Sequence, residues 1–131
     1  MVEPGTSASI PFVADDATTA IALGSGDVAV LGTPKVVALI EEAAVAALSG
    51  QLEESSTTVG THISVDHLAP TAVGATVVAT ATVTAAEGRT ISFTATVTES
   101  DKVVARGTHT RAIVDRSRFE SAVRRPTADS R

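Results

Sequence analysis

The stretch "LGTPKVVALIEEAAVAALSG", residues 31–50, decides how the rest of the chain is read. Thr33-Pro34 is a helix start signal, with threonine as N-cap and proline at the first helical position. Ser49-Gly50 is the matching stop. Between these signals almost nothing is polar. A helix apolar on nearly all its faces has to be wrapped by something else. The remainder of the chain supplies strands.

Residues 7–13, "SASIPFV", read as a first strand, placed at an edge because Pro11 cannot donate to a ladder. Residues 14–32 are short apolar pieces broken by "GSGD" and give no clear pattern. After the polar connector "QLEESS", period-two runs rich in Val, Thr and Ile cover 57–68, 75–86, 89–99 and 102–114. "EGR" (87–89) and "ESDK" (99–102) have the composition of hairpin turns, and "APTAVG" (69–74) that of a longer connection. "RSRFESAVRR" (116–125) reads as a short terminal helix before a frayed end, so that about 120–131 forms a flexible tail. The order is one strand, one long helix, then a four-stranded antiparallel meander. This predicts an α+β class, with a curved antiparallel sheet of about five strands around a central helix. That arrangement is the hotdog fold, expected as a single domain over 1–131. Such sheets need a second copy to extend them, so a homodimer is expected, with a dimer of dimers as the larger option.

The 131 residues suffice for one sizeable core. With three Phe and neither Tyr nor Trp, that core has to be built from Ala, Val, Ile, Leu and Thr in thin layers. The net charge of −5 argues against a nucleic-acid binder. Five of the ten Lys and Arg nevertheless fall after residue 115, a basic end able to meet an anionic ligand. The absence of cysteine excludes disulfides, thiolate metal sites and cysteine nucleophiles. No signal-peptide pattern opens the chain, and no apolar run approaches the length of a membrane span. A cytoplasmic location without membrane attachment is the expectation.

Two adjacent glutamates interrupt the apolar helix. Residues three, four and seven apart share a helix face. Glu42 shares its stripe with Lys35 and Ser49, and faces solvent. Glu41 shares its own with Pro34, Val37, Val45 and Leu48. A carboxylate on that apolar face costs several kcal/mol, by an order-of-magnitude argument, unless it is partnered or the face opens on a cavity. It is therefore either structurally paired with an arginine or backbone amides, or functional.

In "VGTHISVDHLAP" strict alternation puts Val59, Thr61, Ile63, Val65 and His67 on the helix-facing side, and Gly60, His62, Ser64 and Asp66 on the other. His67 then lies in the layer of Glu41. His62 and His67 point to opposite faces, which argues against a metal site, since ligands must converge. His109, whose strand face also carries Arg111, reads as structural or interfacial. Thr33 is explained by its cap role alone, although a hydroxyl beside free helix amides also suits an oxyanion or an acyl group.

Thr33, the glutamate eight residues later, Gly60-Thr61 running through Val65 to His67, and Gly107-Thr108-His109-Thr110-Arg111-Ala112 together resemble the fluoroacetyl-CoA thioesterase-like family of hotdog enzymes. The "EGR" turn also fits, and the similarity runs over roughly residues 30–119. The resemblance implies cleavage of a small acyl-CoA thioester, with Thr33, Glu41 and His67 as the catalytic set. It also implies that the Gly60 amide binds the thioester carbonyl, and that no cofactor is needed beyond the CoA of the substrate. The CoA phosphates need cations, for which Arg89, Arg106, Arg111 and the later arginines are candidates, and Arg89 is assigned to substrate binding. The family's gate phenylalanine has no counterpart in "ALGSGDVAVLG" (22–32), so fluoroacetyl selectivity is not implied. The residues also fit a hotdog hydratase or dehydratase on acyl-CoA or acyl-carrier-protein substrates, or a non-catalytic acyl-CoA-binding dimer.

Overall fold

The computed structural model describes residues 2–124. Five strands, β1 (Ser7–Val13), β2 (Ser56–His67), β3 (Thr76–Glu87), β4 (Thr90–Glu99) and β5 (Lys102–Asp115), form one antiparallel sheet in the order β1-β3-β4-β5-β2. The helices are α1 (Ala20–Leu23), α2 (Thr33–Ala47) and α3 (Arg116–Arg124). The frayed end expected from residue 126 on lies outside the described residues.

The sheet's inner face is laid out in rows. Ile10, Ala79, Val97, Ala105 and His67 form one row, and Ala8, Ala81, Ala95, Gly107 and Val65 the next. Small side chains in the second row allow close approach of α2, whose Val36, Leu39, Ile40, Ala43, Ala44 and Ala47 are buried against the sheet. The outer face alternates to hydroxyls, including a row Ser7–Thr82–Thr94–Thr108–Ser64 across all five strands. This is the inside-apolar, outside-polar division of a sheet covered on one side.

Two expectations are corrected. Only β3, β4 and β5 form a meander. β1 pairs along the free side of β3 and turns Ala8, Ile10 and Phe12 inward. β2 therefore crosses to the far edge beside β5. Nor is α2 buried on nearly all faces: a single sheet covers one side, and the stripe Pro34, Ala38, Glu42 and Val45 is exposed, Val45 at 52%. That stripe is mostly apolar and is left uncovered among the described residues.

Residues 14–32, illegible as a pattern, hold a single 3-10 turn, α1 and two isolated bridges, Thr19–Leu31 and Val30–Ala72. The bridges tie this segment against the start of α2. Among the described residues, no helix is long and apolar enough to cross a membrane.

Candidate active site

Thr33 is not the N-cap of α2. Gly32 holds that position without a side-chain cap, so Thr33 opens the helix and Pro34 follows it. The Thr33 hydroxyl is thereby free of the capping role. It lies 2.7 Å from Nδ1 of His67, at the end of β2. At that separation the hydroxyl and the imidazole nitrogen share a hydrogen bond, the geometry that a hydroxyl nucleophile and its base require. Burial lowers the pKa of His67, partly opposed by the nearby backbone of Ala69. The neutral, proton-accepting form is favoured. Its Nε2 is buried with no hydrogen-bond partner among the described residues. Thr33 and His67 line a cavity of about 250 Å³, walled by Ala20, Val30, Leu31, Leu68 and Pro70.

Glu41 belongs to a second cluster. Its Oε2 is 4.0 Å from Nη1 of Arg111, with the glutamate side chain 43% exposed and that of Arg111 buried. The carboxylate is thus half in solvent, not sealed in an apolar layer. Arg111 donates through Nε to Thr58 Oγ1 and through Nη2 to the Thr58 carbonyl, at 2.9 and 3.2 Å. Its Nη1 donates to Nε2 of His109 at 3.1 Å, while His109 Nδ1 donates to the His62 carbonyl at 2.6 Å. His109 also stacks on Phe93, with centroids 5.9 Å apart. Burial first, and Arg111 with it, lower the His109 pKa against the opposing pull of the His62 carbonyl and Glu41, consistent with a neutral ring that accepts from Arg111. His109 and Arg111 fix the surroundings of Glu41. The sequence offered only a weak signal for them, their shared face in "GTHTR".

Gly60 joins this cluster because of a β-bulge. The β2–β5 register runs Gly60↔Arg111 and then His62↔Thr110, leaving Thr61 unpaired. Strict alternation fails there. Gly60 stands on the inner face with Ile63, Val65 and His67, and Thr61 does not continue their row. A Cβ at residue 60 would lie 3.0 Å from Glu41 Oε2, 3.2 Å from His109 and 3.3 Å from Arg111. The absent side chain is what admits the carboxylate.

The two clusters are separate within one chain. Eight residues of helix put Thr33 about 12 Å from Glu41 along the axis. From the pairing level of His67 to that of Gly60 is about 20 Å along the strands. Arg89 is farther still. Its carbonyl accepts from Ile113 N–H and its Nη1 donates to the Ile113 carbonyl at 3.3 Å, at the opposite end of the sheet from His67. Glu42 is exposed, as its stripe implied. Among the described residues, no group of three His, Cys, Asp or Glu is arranged to hold a metal.

The fluoroacetyl-CoA-specific thioesterase family model matches residues 13–117. A fluoroacetyl-CoA thioesterase from Streptantibioticus cattleyicolor is 36% identical over 98 residues, 75% of this chain and 70% of that protein. A solved structure of the fluoroacetyl-CoA thioesterase superposes with a TM-score of 0.90 at 30% identity, over 97% of this chain and 98% of that one. A Thermus thermophilus thioesterase superfamily member, at 20% identity, shares the fold with a TM-score of 0.88 over 95% of this chain and 92% of its own. The match takes in β2 to β5, α2 and both clusters, so the chain is a hotdog protein that belongs to the fluoroacetyl-CoA-specific thioesterase family.

Proposed function

We propose that the protein hydrolyses small acyl-CoA thioesters, with Thr33, His67 and Glu41 as reacting groups, in a homodimer whose copies complete each other's sites. The reaction class comes from the family: the chain is an acyl-CoA thioesterase. The observation that carries the residue roles is the 2.7 Å hydrogen bond between Thr33 and His67.

The thioester carbonyl sits at the mouth of the small cavity beside the start of α2, whose first amides have no intrahelical acceptor and favour negative charge. Thr33 Oγ1 attacks the carbonyl carbon as its proton passes to His67 Nδ1. The C–S bond then breaks, and the proton passes from His67 to the departing sulfur. Water, deprotonated by Glu41, attacks the acyl-threonine carbonyl carbon; the ester C–O bond breaks, and the proton passes from Glu41 to the threonine oxygen, giving free acid and restoring the hydroxyl. The Gly60 amide assists by donating to the carbonyl oxygen. The small, mostly apolar pocket beside Thr33 and His67 supports a short acyl group.

Glu41 and Gly60 reach that carbonyl from a second subunit. Three features support this. The two clusters lie too far apart in one chain, β2 is an open sheet edge, and the uncovered stripe of α2 carries Pro34, Ala38 and Val45. Antiparallel pairing of two β2 edges carries the Gly60–Glu41 cluster of one copy towards the Thr33–His67 pair of the other. It also covers exposed apolar side chains near the cavity, such as Leu68 at 52%. We place this dimer in the cytoplasm and treat residues 1–131 as one hotdog domain.

The test is free-thiol release from a panel of acyl-CoAs by wild type, Thr33→Val, Glu41→Gln and Glu42→Gln. Thr33→Val and Glu41→Gln are expected to lose about a hundredfold or more in kcat. Glu42→Gln, one residue away on the exposed stripe, is expected to keep full activity. Equal turnover by all four proteins would remove the assigned roles.

A further inference from the structure

His109 and Arg111 are buried, and the reaction as proposed uses neither of them. They lie two apart on β5 and so share the inner side of the sheet. Together with Glu41 they close over Gly60, each within 3.3 Å of where a Cβ of that residue would stand. Each nitrogen of the His109 ring faces a group that can play only one part. Nδ1 is 2.6 Å from the His62 carbonyl, which only accepts, so Nδ1 carries the proton. Nε2 is 3.1 Å from Nη1 of Arg111, which only donates, so Nε2 is bare. The partners therefore fix the tautomer, and burial opposes a second proton on the ring.

These bonds hold Arg111 back from α2. Its Nε and Nη2 donate to the hydroxyl and carbonyl of Thr58 on β2, at 2.9 and 3.2 Å, and its Nη1 donates to His109. What is left for Glu41 is a separation of 4.0 Å, the outer limit of an ion pair and too long for a hydrogen bond. That length has a chemical consequence. A carboxylate in close contact with a guanidinium is a weaker base, because the cation favours its charged form. Without the His109 acceptor, an Nη1 hydrogen would be buried and unpaired, which is costly. Glu41 Oε2 is the acceptor that stands beside it.

We infer that His109 is a positioning residue for the second half of the reaction: as its Nδ1–H tautomer it retains Nη1 of Arg111 and keeps the guanidinium from closing on Glu41, whose carboxylate stays free to take the proton of water. This rests on the roles given to Thr33 and Glu41 above. The effect falls on one half of the turnover. Attack by Thr33 and departure of the thiol run through His67 and do not call on Glu41, whereas hydrolysis of the acyl-threonine does.

His109→Phe keeps an aromatic ring against Phe93 but accepts nothing from Arg111. Mixed rapidly with an acyl-CoA, this variant is expected to release its first equivalent of thiol at the wild-type rate, then to turn over about tenfold slower or more. The peptide that contains Thr33 should carry the acyl mass. His109→Gln, whose amide oxygen can stand in for Nε2, is expected to restore the second phase. Thr58→Val removes another anchor of the same guanidinium without touching the ring, and is expected to slow that phase too. A wild-type second phase in His109→Phe or Thr58→Val overturns the assignment. So does an equal slowing of both phases in His109→Phe and His109→Gln, which is what a merely structural role would give. Nitrogen NMR of the histidine-labelled protein reads the tautomer without turnover, the His109 signals being those lost in His109→Gln. Protonation at Nδ1 is expected, and protonation at Nε2 overturns the restraint whether or not a thioester is cleaved. A protein that shows the Nδ1–H tautomer but releases no thiol loses the hydrolase reading, while the hold of the ring on Arg111 stands.

Discussion

At the scale of single residues, the position of Gly32 separates two explanations of Thr33. A threonine that capped α2 would explain itself by stability, at about 1 kcal/mol. With Gly32 at the cap, the hydroxyl is committed to His67 instead. The sequence could not make that choice, because threonine and glycine are both accepted caps and stand side by side. His67 yields a prediction in pH. Its pKa is lowered by burial, so the neutral base persists to lower pH than in an ordinary histidine near 6.5. The acid limb of kcat/KM is therefore expected below pH 6.5, and a limb at or above that value would remove His67 as the base. Stability follows the same sign. His67 and His109 both bind protons less readily folded than unfolded. As pH falls through about 6.5 the unfolded chain takes up protons that the folded one does not, and stability is lost. A urea midpoint that rises between pH 7 and 5.5 would contradict this.

At the scale of elements, the strands were legible almost to the residue, because Val, Thr and Ile alternate without interruption and turn residues separate them. Their neighbours were not. Pairing order depends on which edges meet in space, and nothing in 57–68 marks it as a partner of β5 in preference to β3. The bulge at Gly60–His62 was hidden for a related reason: one extra residue leaves the local composition unchanged while it reverses the facing of everything before it. Arg111 stayed unranked because its meeting with Glu41 joins α2 to β5 across the layer. Gly107 marks where β2 and β5 depend on each other, since a Cβ there would collide with the Ser64 carbonyl. Gly107→Ala is expected to cost about 2–3 kcal/mol and, by displacing β2, to lower activity as well. A thermal midpoint equal to that of the wild type would show that the strands can part without penalty.

At the scale of the whole molecule, the proposed sharing of each site between two subunits makes an assembly prediction. Thr33→Ala and Glu41→Gln homodimers are each expected to be inactive. Mixed after dissociation and reassociated, they should recover activity through heterodimers that contain one site with neither lesion. With random pairing, half the dimers carry one such site, and about a quarter of wild-type activity is expected under the two-subunit reading. Absence of recovery, with exchange verified, would place all reacting groups in one chain.

The open edge of β2 has a consequence for dosage. If each carbonyl is attacked from one polypeptide and assisted from another, lone chains are catalytically silent. Below the dissociation constant of the dimer, output then rises with the square of chain abundance. A cell could hold a basal pool of this hydrolase without draining its activated acids, and a modest induction would switch on a disproportionate flux.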